Sequence, residues 1–312
     1  MASLVWGCCR LIGAMPHWLR YYVLQDTIYF IVYKCLRYRV GVVTENLRNS
    51  FPDRPMAEIK RIRRSFYHNL SEIFISTVSQ AAMSDDDCRR RVRVKNLDEV
   101  LSDLRGRDAL LSTAHFGCWE YDSFLALYTG EHYLAAVYHP LENKVIDAVY
   151  MRLRRRRNIR LIPMKEIIRY YIDHRLPAGA PGQRIGIGLI ADQNPPLRPN
   201  SHWFRFLNQD TVFFDGIEKM ALKFHMPVYF CRQRRLRRGY YELEFLRLYD
   251  GVEQVAPNEV TERYVRQLES DIVADPGMWL WSHRRWKYCP RGEAEETHPQ
   301  GDLPRKNDGE GK

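Results

Sequence analysis

Between Ala109 and Ala191 the chain alternates short apolar runs with stretches of helical spacing, and this alternation restricts its fold more than any other feature. The run from Leu110 to Thr113, Tyr133–Tyr138, Arg160–Pro163 and Ile185–Ala191 read as buried strands. Glu120–Tyr128, Glu142–Arg157 and Lys165–His174 read as the helices between them. Strands buried on both faces and joined by helices make a largely parallel sheet flanked by helices, so an α/β fold is expected. With 312 residues, 45% of them hydrophobic, the chain can bury a full core and is neither disordered nor collagen-like. Three regions are expected: a helical N-terminal region over 1–40, one main domain over 41–290, and a polar, disordered tail over 291–312.

Outside the alternating stretch, Val40–Arg54 reads as a loop punctuated by Pro52, with Pro55 just beyond it. A long helix follows over Met56–Met83, its apolar residues recurring at three and four and its basic residues forming a rim. Val92–Val94 is expected to be a short strand, and Leu97–Leu104 and Thr211–Phe224 helices. Pro227–Cys231 and Tyr240–Leu248 are expected to pair across a basic turn, Arg232–Gly239, before a last helix over Asn258–Ile272. Gly186 and Gly188 lie inside a strand and prolines follow, so they are no dinucleotide fingerprint; small residues there admit a close-packed helix or an acyl chain.

The chemistry concentrates in the segment Ala114–Glu120, AHFGCWE, where an apolar strand delivers His115 into a Phe-Gly break. On a continuous helix His115 and Glu120 would lie roughly 140° apart and not touch. A tight turn at Gly117 removes that obstacle, because glycine adopts backbone angles other residues avoid. His115 is then a candidate general base for a substrate hydroxyl, with Glu120 holding its other ring nitrogen. On these residues alone, a polar pair satisfied at the edge of a core fits equally. Asp192 and Gln193 close a later strand, and ligands of open α/β sheets gather at such carboxyl ends, so they are expected beside His115. Cys118 is expected to pack inward rather than act as a nucleophile.

A net charge of +10 points to an anionic partner. Six arginines crowd Arg152–Arg160 and five crowd Arg232–Arg238, while Trp281, Arg284, Arg285 and Trp286 belong to a third, aromatic-laced basic patch expected to face a membrane or an acidic partner. Near the N-terminus Trp6, Trp18, Tyr21, Tyr22, Tyr29, Phe30 and Tyr33 accompany arginines, the composition of an interfacial anchor, in a stretch too short to span a bilayer. The plainer reading is an amphipathic helix packed on the core. No nucleic-acid-binding motif, Walker loop, G-x-S-x-G elbow or H-E-x-x-H is present, and no nucleic-acid partner is expected. Seven scattered cysteines form no C-x-x-C pair, so neither a metal site nor a disulfide framework is indicated, and no cofactor is expected.

Three stretches, AHFGCWE (114–120), IADQNPP (190–196) and WLWSHRRWK (279–287), in this order, resemble the late lipid A biosynthesis acyltransferases, the lauroyl and myristoyl transferases of Gram-negative bacteria. VTENLRNSFPD (43–53) and FFDGIEKMALKFHMPV (213–228) extend the likeness over roughly 1–288. The resemblance implies an acyltransferase-like fold over 41–290 and transfer of a fatty acyl chain from acyl carrier protein to a hydroxyl of a lipid A precursor. The expected location is the cytoplasmic face of the bacterial inner membrane. It further implies His115 as general base with Glu120 as its partner, Arg154 near the acyl carbonyl, and Asp192 and Gln193 on the acceptor side. Cys118 stands where family members often have Asn, outside the proton-transfer pair. The F-P-E-G-T-R motif of glycerolipid enzymes is absent, which argues against glycerol phosphate as acceptor. An acyltransferase of another hydroxylated lipid and a non-enzymatic basic membrane-binding module are the competing readings.

Overall fold

The structure, a computed structural model, describes residues 1–155, 158–177 and 179–288. The tail over 291–312, Cys289, Arg156 and Arg157 therefore lie outside the described residues. The helical first part comprises α1 (Ala2–Ala14), a helical stretch over 17–35 that includes α2 (Gln25–Tyr29), α3 (Val40–Ser50) and α4 (Met56–Ser79). There follow α5 (Asp85–Arg91), β1 (Val92–Val94), α6 (Leu97–Gly106), β2 (Ala109–Thr113), β3 (Tyr133–Tyr138), α7 (Lys144–Arg154), β4 (Ile159–Pro163), α8 (Ile167–His174) and β5 (Ile185–Ile190). The chain continues through β6 (Trp203–Phe206), β7 (Gln209–Val212), α9 (Gly216–Phe224), β8 (Val228–Arg237), β9 (Tyr240–Tyr249) and α10 (Glu259–Ala274).

One seven-stranded sheet runs in the order β1-β9-β8-β2-β5-β3-β4. Strands β8, β2, β5, β3 and β4 are mutually parallel, and only β9 turns back against its neighbour β8. The expected parallel α/β sheet is thus present, with an antiparallel margin formed by β9 and the short β1. β2 lies near the centre, and Ala109–Ser112 along it are all buried, as a strand covered on both faces requires. Gly186 on β5 serves the sheet itself: a Cβ there would stand 2.9 Å from the Leu134 side chain on β3, so the glycine admits a neighbouring strand's leucine rather than a helix.

Three local readings need correction. Val40–Arg54 is mostly helix, because Val43, Asn46, Leu47 and Ser50 repeat at three and four and bury one face of α3. Trp203–Phe206 and Gln209–Val212 form an antiparallel hairpin, so the helix expected from Thr211 starts only at Gly216. The hairpin turns at Leu207 and Asn208, both with positive φ, a signal that neither glycine nor proline announces. Finally, the arginine run after Cys231 is strand and not turn: β8 extends to Arg237, with Gly239 at φ +72° making the reversal.

The N-terminal region is divided between core and surface. Tyr21 is fully buried, its hydroxyl 3.1 Å from Ser76 Oγ and 3.2 Å from the Tyr121 hydroxyl, so it is no interfacial residue. Tyr29 stacks on His68 and Tyr33 on Tyr67, whereas Trp18, Tyr22 and Phe30 remain exposed along with Leu4 and Leu11. Among the described residues no helix is long and apolar enough to cross a membrane.

Candidate active site

The register of the sheet places the site. Thr113 at the end of β2 pairs with Ile190 at the end of β5, so two residues further along each chain His115 meets Asp192. The His115 Nδ1 lies 2.7 Å from Asp192 Oδ1, and the His115 backbone N–H donates to Asp192 Oδ2 at 3.0 Å. A third donor, the Trp279 indole Nε1–H, reaches the same Oδ2 at 2.8 Å. Burial alone would raise the Asp192 carboxyl, but His115 and the Trp279 and backbone donors outweigh it and hold the group below its ordinary value. An anionic Asp192 accepts only, so the ring proton belongs on Nδ1 and leaves the Nε2 lone pair outward. Gln193 caps that face, its Nε2 donating to His115 Nε2 at 3.2 Å. The imidazole is only partly covered, with a side-chain exposure of 17%.

The turn beneath His115 is braced from behind. Gly117 has φ +63°, and a Cβ there would come within 2.5 Å of Gln233 Oε1, so both its backbone angle and its surroundings demand glycine. Gln233, on β8, accepts the Cys118 N–H at 2.8 Å and donates to the Cys118 carbonyl at 3.1 Å and to Asp122 Oδ1 at 2.6 Å. Thr113 Oγ1 donates to the other Asp122 oxygen at 2.8 Å. Burial raises Asp122 to about 7, against the lowering effect of these two hydrogen bonds. On the far side, the segment Met278–Leu280 runs antiparallel to the turn: Gly117 N–H donates to the Met278 carbonyl and Leu280 N–H to the His115 carbonyl, at 3.0 and 3.1 Å.

Glu120 does not hold the histidine. The 3₁₀ helix Trp119–Leu127 that follows the turn directs it to α7, where Arg154 Nε and Nη2 grip its two oxygens at 2.8 and 2.6 Å. The ring nitrogen assigned to Glu120 goes instead to Asp192, which arrives on the neighbouring paired strand. Burial works against charge on Arg154, and Glu120 more than offsets it, leaving the guanidinium more basic than usual. Cys118 is fully buried and burial pushes its thiol well above the ordinary value, as expected for a packed, unreactive cysteine.

The third basic patch is largely interior, contrary to expectation. Trp281 is fully buried, Arg285 is 3% exposed and Trp286 is partly covered with its indole N–H on Thr211 Oγ1; of the four residues only Arg284 is exposed. Trp279, Trp281 and Trp286 pack edge to face or tilted on one another, and Trp279 and Trp286 also pack on Phe206 of the β6–β7 hairpin. The Arg232–Arg238 field is mostly spent internally: Arg232 binds Glu244 and Asp271, Arg234 binds Glu242, Arg235 binds Glu72 and Arg238 binds Asp26.

The sequence alone does not mark Trp279, Asp122 or Gln233 as site residues. Gln233 carried a signal, being the one uncharged polar residue among the arginines of Arg232–Arg238 and inward-facing on an alternating strand.

A parallel α/β sheet bearing a histidine–carboxylate pair at adjoining strand ends holds that pair where ligands of open sheets gather. The particular lineage follows from the sequence as a whole: a model of the bacterial lipid A biosynthesis acyltransferase family matches residues 1–288, and the chain belongs to that family of acyltransferases. No curated protein matches it.

Proposed function

We propose that the protein transfers a fatty acyl chain from an acyl-carrier-protein thioester to a hydroxyl of a lipid A precursor, at the cytoplasmic face of the bacterial inner membrane. The observation that carries the mechanism is the 2.7 Å contact between His115 Nδ1 and Asp192. With Nδ1–H directed to the carboxylate, Nε2 is free to take a proton, and the acceptor hydroxyl takes the place of the Gln193 amide on that nitrogen. As the hydroxyl oxygen attacks the thioester carbonyl, its proton passes to Nε2, and Asp192 steadies the imidazolium. Arg154, oriented by Glu120 through Nε and Nη2, offers its guanidinium charge to the carbonyl oxygen as it becomes an oxyanion. The tetrahedral intermediate expels a thiolate, which recovers the proton from His115; a thiolate leaves readily enough that no acyl-enzyme is needed.

The exposed Trp18, Tyr22 and Phe30, with exposed Arg10 and Lys34 nearby in the chain, support docking of the N-terminal region on an anionic membrane surface. Exposed arginines such as Arg284 supply attraction for the acidic carrier protein and the phosphorylated acceptor. The test is incubation of the purified protein with an acyl carrier thioester and a lipid A precursor, followed by mass spectrometry. Product gaining one acyl unit is expected, and its absence, or its persistence in His115→Ala, would sink the reading.

A further inference from the structure

Arg285 is a buried cation with no carboxylate in contact among the described residues. Its Nη1 donates to Asn194 Oδ1 at 2.7 Å and its Nη2 to the Val212 carbonyl at 2.6 Å, its face covers the Phe213 ring at 4.5 Å, and its Nε has no partner. Isolated buried charges are expensive, so one kept without a contacting counter-ion requires a reason. Asp192 presents the complementary oddity: among the described residues, a buried carboxylate whose one ion pair is with a histidine. Asn194, which Arg285 grips, is two residues from Asp192 on the same loop, and Asp192 acts to raise the Arg285 guanidinium against the burial that brings it down to about 10.

We propose that Arg285 is a positioning residue for the proton-transfer pair, fixing the Asp192 loop through Asn194 and supplying the standing counter-charge to the buried carboxylate. This rests on the reading of His115 as general base. Before reaction, the charges on Asp192, His115 and Arg285 sum to zero. When the acceptor O–H bond breaks and the C–O bond forms, the proton makes imidazolium while the carbonyl electron pair makes an oxyanion, and the sum remains zero. When the C–S bond then breaks, the thiolate takes the proton and the charges return to their starting values. Without Arg285 the oxyanion would form beside an uncompensated carboxylate in a poorly solvated site.

The other groups around this site do not fill the role. His283, on the same segment, is held neutral, burial and the neighbouring Arg285 pushing it down to about 4. Lys287 is exposed, and the Tyr264 hydroxyl from α10 donates to the Thr113 carbonyl and is kept protonated by burial. Arg154, on α7, is already paired with Glu120.

The experiment compares pH–rate profiles of acyl transfer for the intact protein and for Arg285→Lys, Arg285→Gln and Arg285→Met, with thermal melts reporting the fold. Losing a cation makes imidazolium easier to form, so in the Gln and Met variants the acidic limb moves to higher pH by about one unit. Their plateau rate drops by about 10- to 100-fold. Arg285→Lys restores the acidic limb and adds an alkaline one, because a buried ammonium loses its proton where a guanidinium does not. Should neither neutral variant fold, the new alkaline limb of the Lys variant decides. Profiles superimposable on the parent's in every folded variant, whatever the melts show, would overturn the proposal and leave Arg285 a packing residue. Full activity in His115→Ala would instead overturn the general-base reading, so the two failures are distinguishable.

Discussion

His115 and Asp192, 77 residues apart in sequence, stand at the same level of two hydrogen-bonded parallel strands because Thr113 pairs with Ile190 just before them. A one-residue slip of β5 against β2 would turn Asp192 to the other face of the sheet. The site is therefore a product of strand register.

Asp192→Asn should keep the fold and lose most activity. A carboxamide at this place can donate to Nδ1 and push the ring proton onto Nε2, the nitrogen that must accept from the substrate. The transfer rate should fall by about 100- to 10,000-fold, as for loss of a positioned base. A rate within a few-fold of the parent would show that the 2.7 Å contact does not set the tautomer.

Gly117→Ala should weaken both fold and activity. The methyl adds a left-handed backbone penalty of about 1 kcal/mol and drives into Gln233 Oε1, displacing the brace that holds the Cys118 peptide. Urea denaturation together with transfer rates checks this. Unaltered values in both would mean that the turn is not held from behind.

Asp122 gives a pH signature in stability. Its folded-state value of about 7 lies above the ordinary 3.8, so the folded chain binds its proton more tightly than the unfolded chain does. Its contribution is fully present below 3.8 and is lost as pH rises through about 7, at up to about 1.4 kcal/mol per pH unit. Asp122→Asn keeps acceptor and donor for Gln233 and Thr113 without a titration, so its advantage over the parent in denaturant should grow between pH 4 and 7. An advantage that stays constant over that interval would contradict the assignment.

The Glu120–Arg154 pair should show strong coupling. Glu120 is 5% exposed on its side chain and Arg154 27%, so solvent only partly screens the pair. Arg154→Met alone leaves a buried carboxylate and should cost about 2 kcal/mol. Glu120→Gln in the same chain should return part of that loss, and a double-mutant cycle summing to zero would show that the two are independent.

Much of the framework was legible before the structure. Tyr133–Tyr138 is a strand with the expected bounds, and Ile185–Ile190 differs by one residue, because buried parallel strands advertise themselves as unbroken apolar runs. His115, Asp192 and Gln193 do converge, as strand ends in an open sheet predict. What escaped was pairing across distance. The acid nearest His115 in sequence is Glu120, five residues on, whereas register delivers its partner from another strand. Trp281 and Arg285 read as surface because tryptophan and arginine also make interfaces; only packing against Phe213 and the aromatic cluster around Trp279 decides for the interior.

The most direct test of the proposed acyl transfer follows one lipid product. Purified protein, an acyl carrier thioester and a phosphorylated lipid A precursor are combined, and the precursor's mass is followed for the parent, His115→Ala and Asp192→Asn. The expected result is an increase of one acyl unit with the parent, with the rate falling by about 100-fold or more in both variants. Acylation at the parental rate by His115→Ala would contradict it.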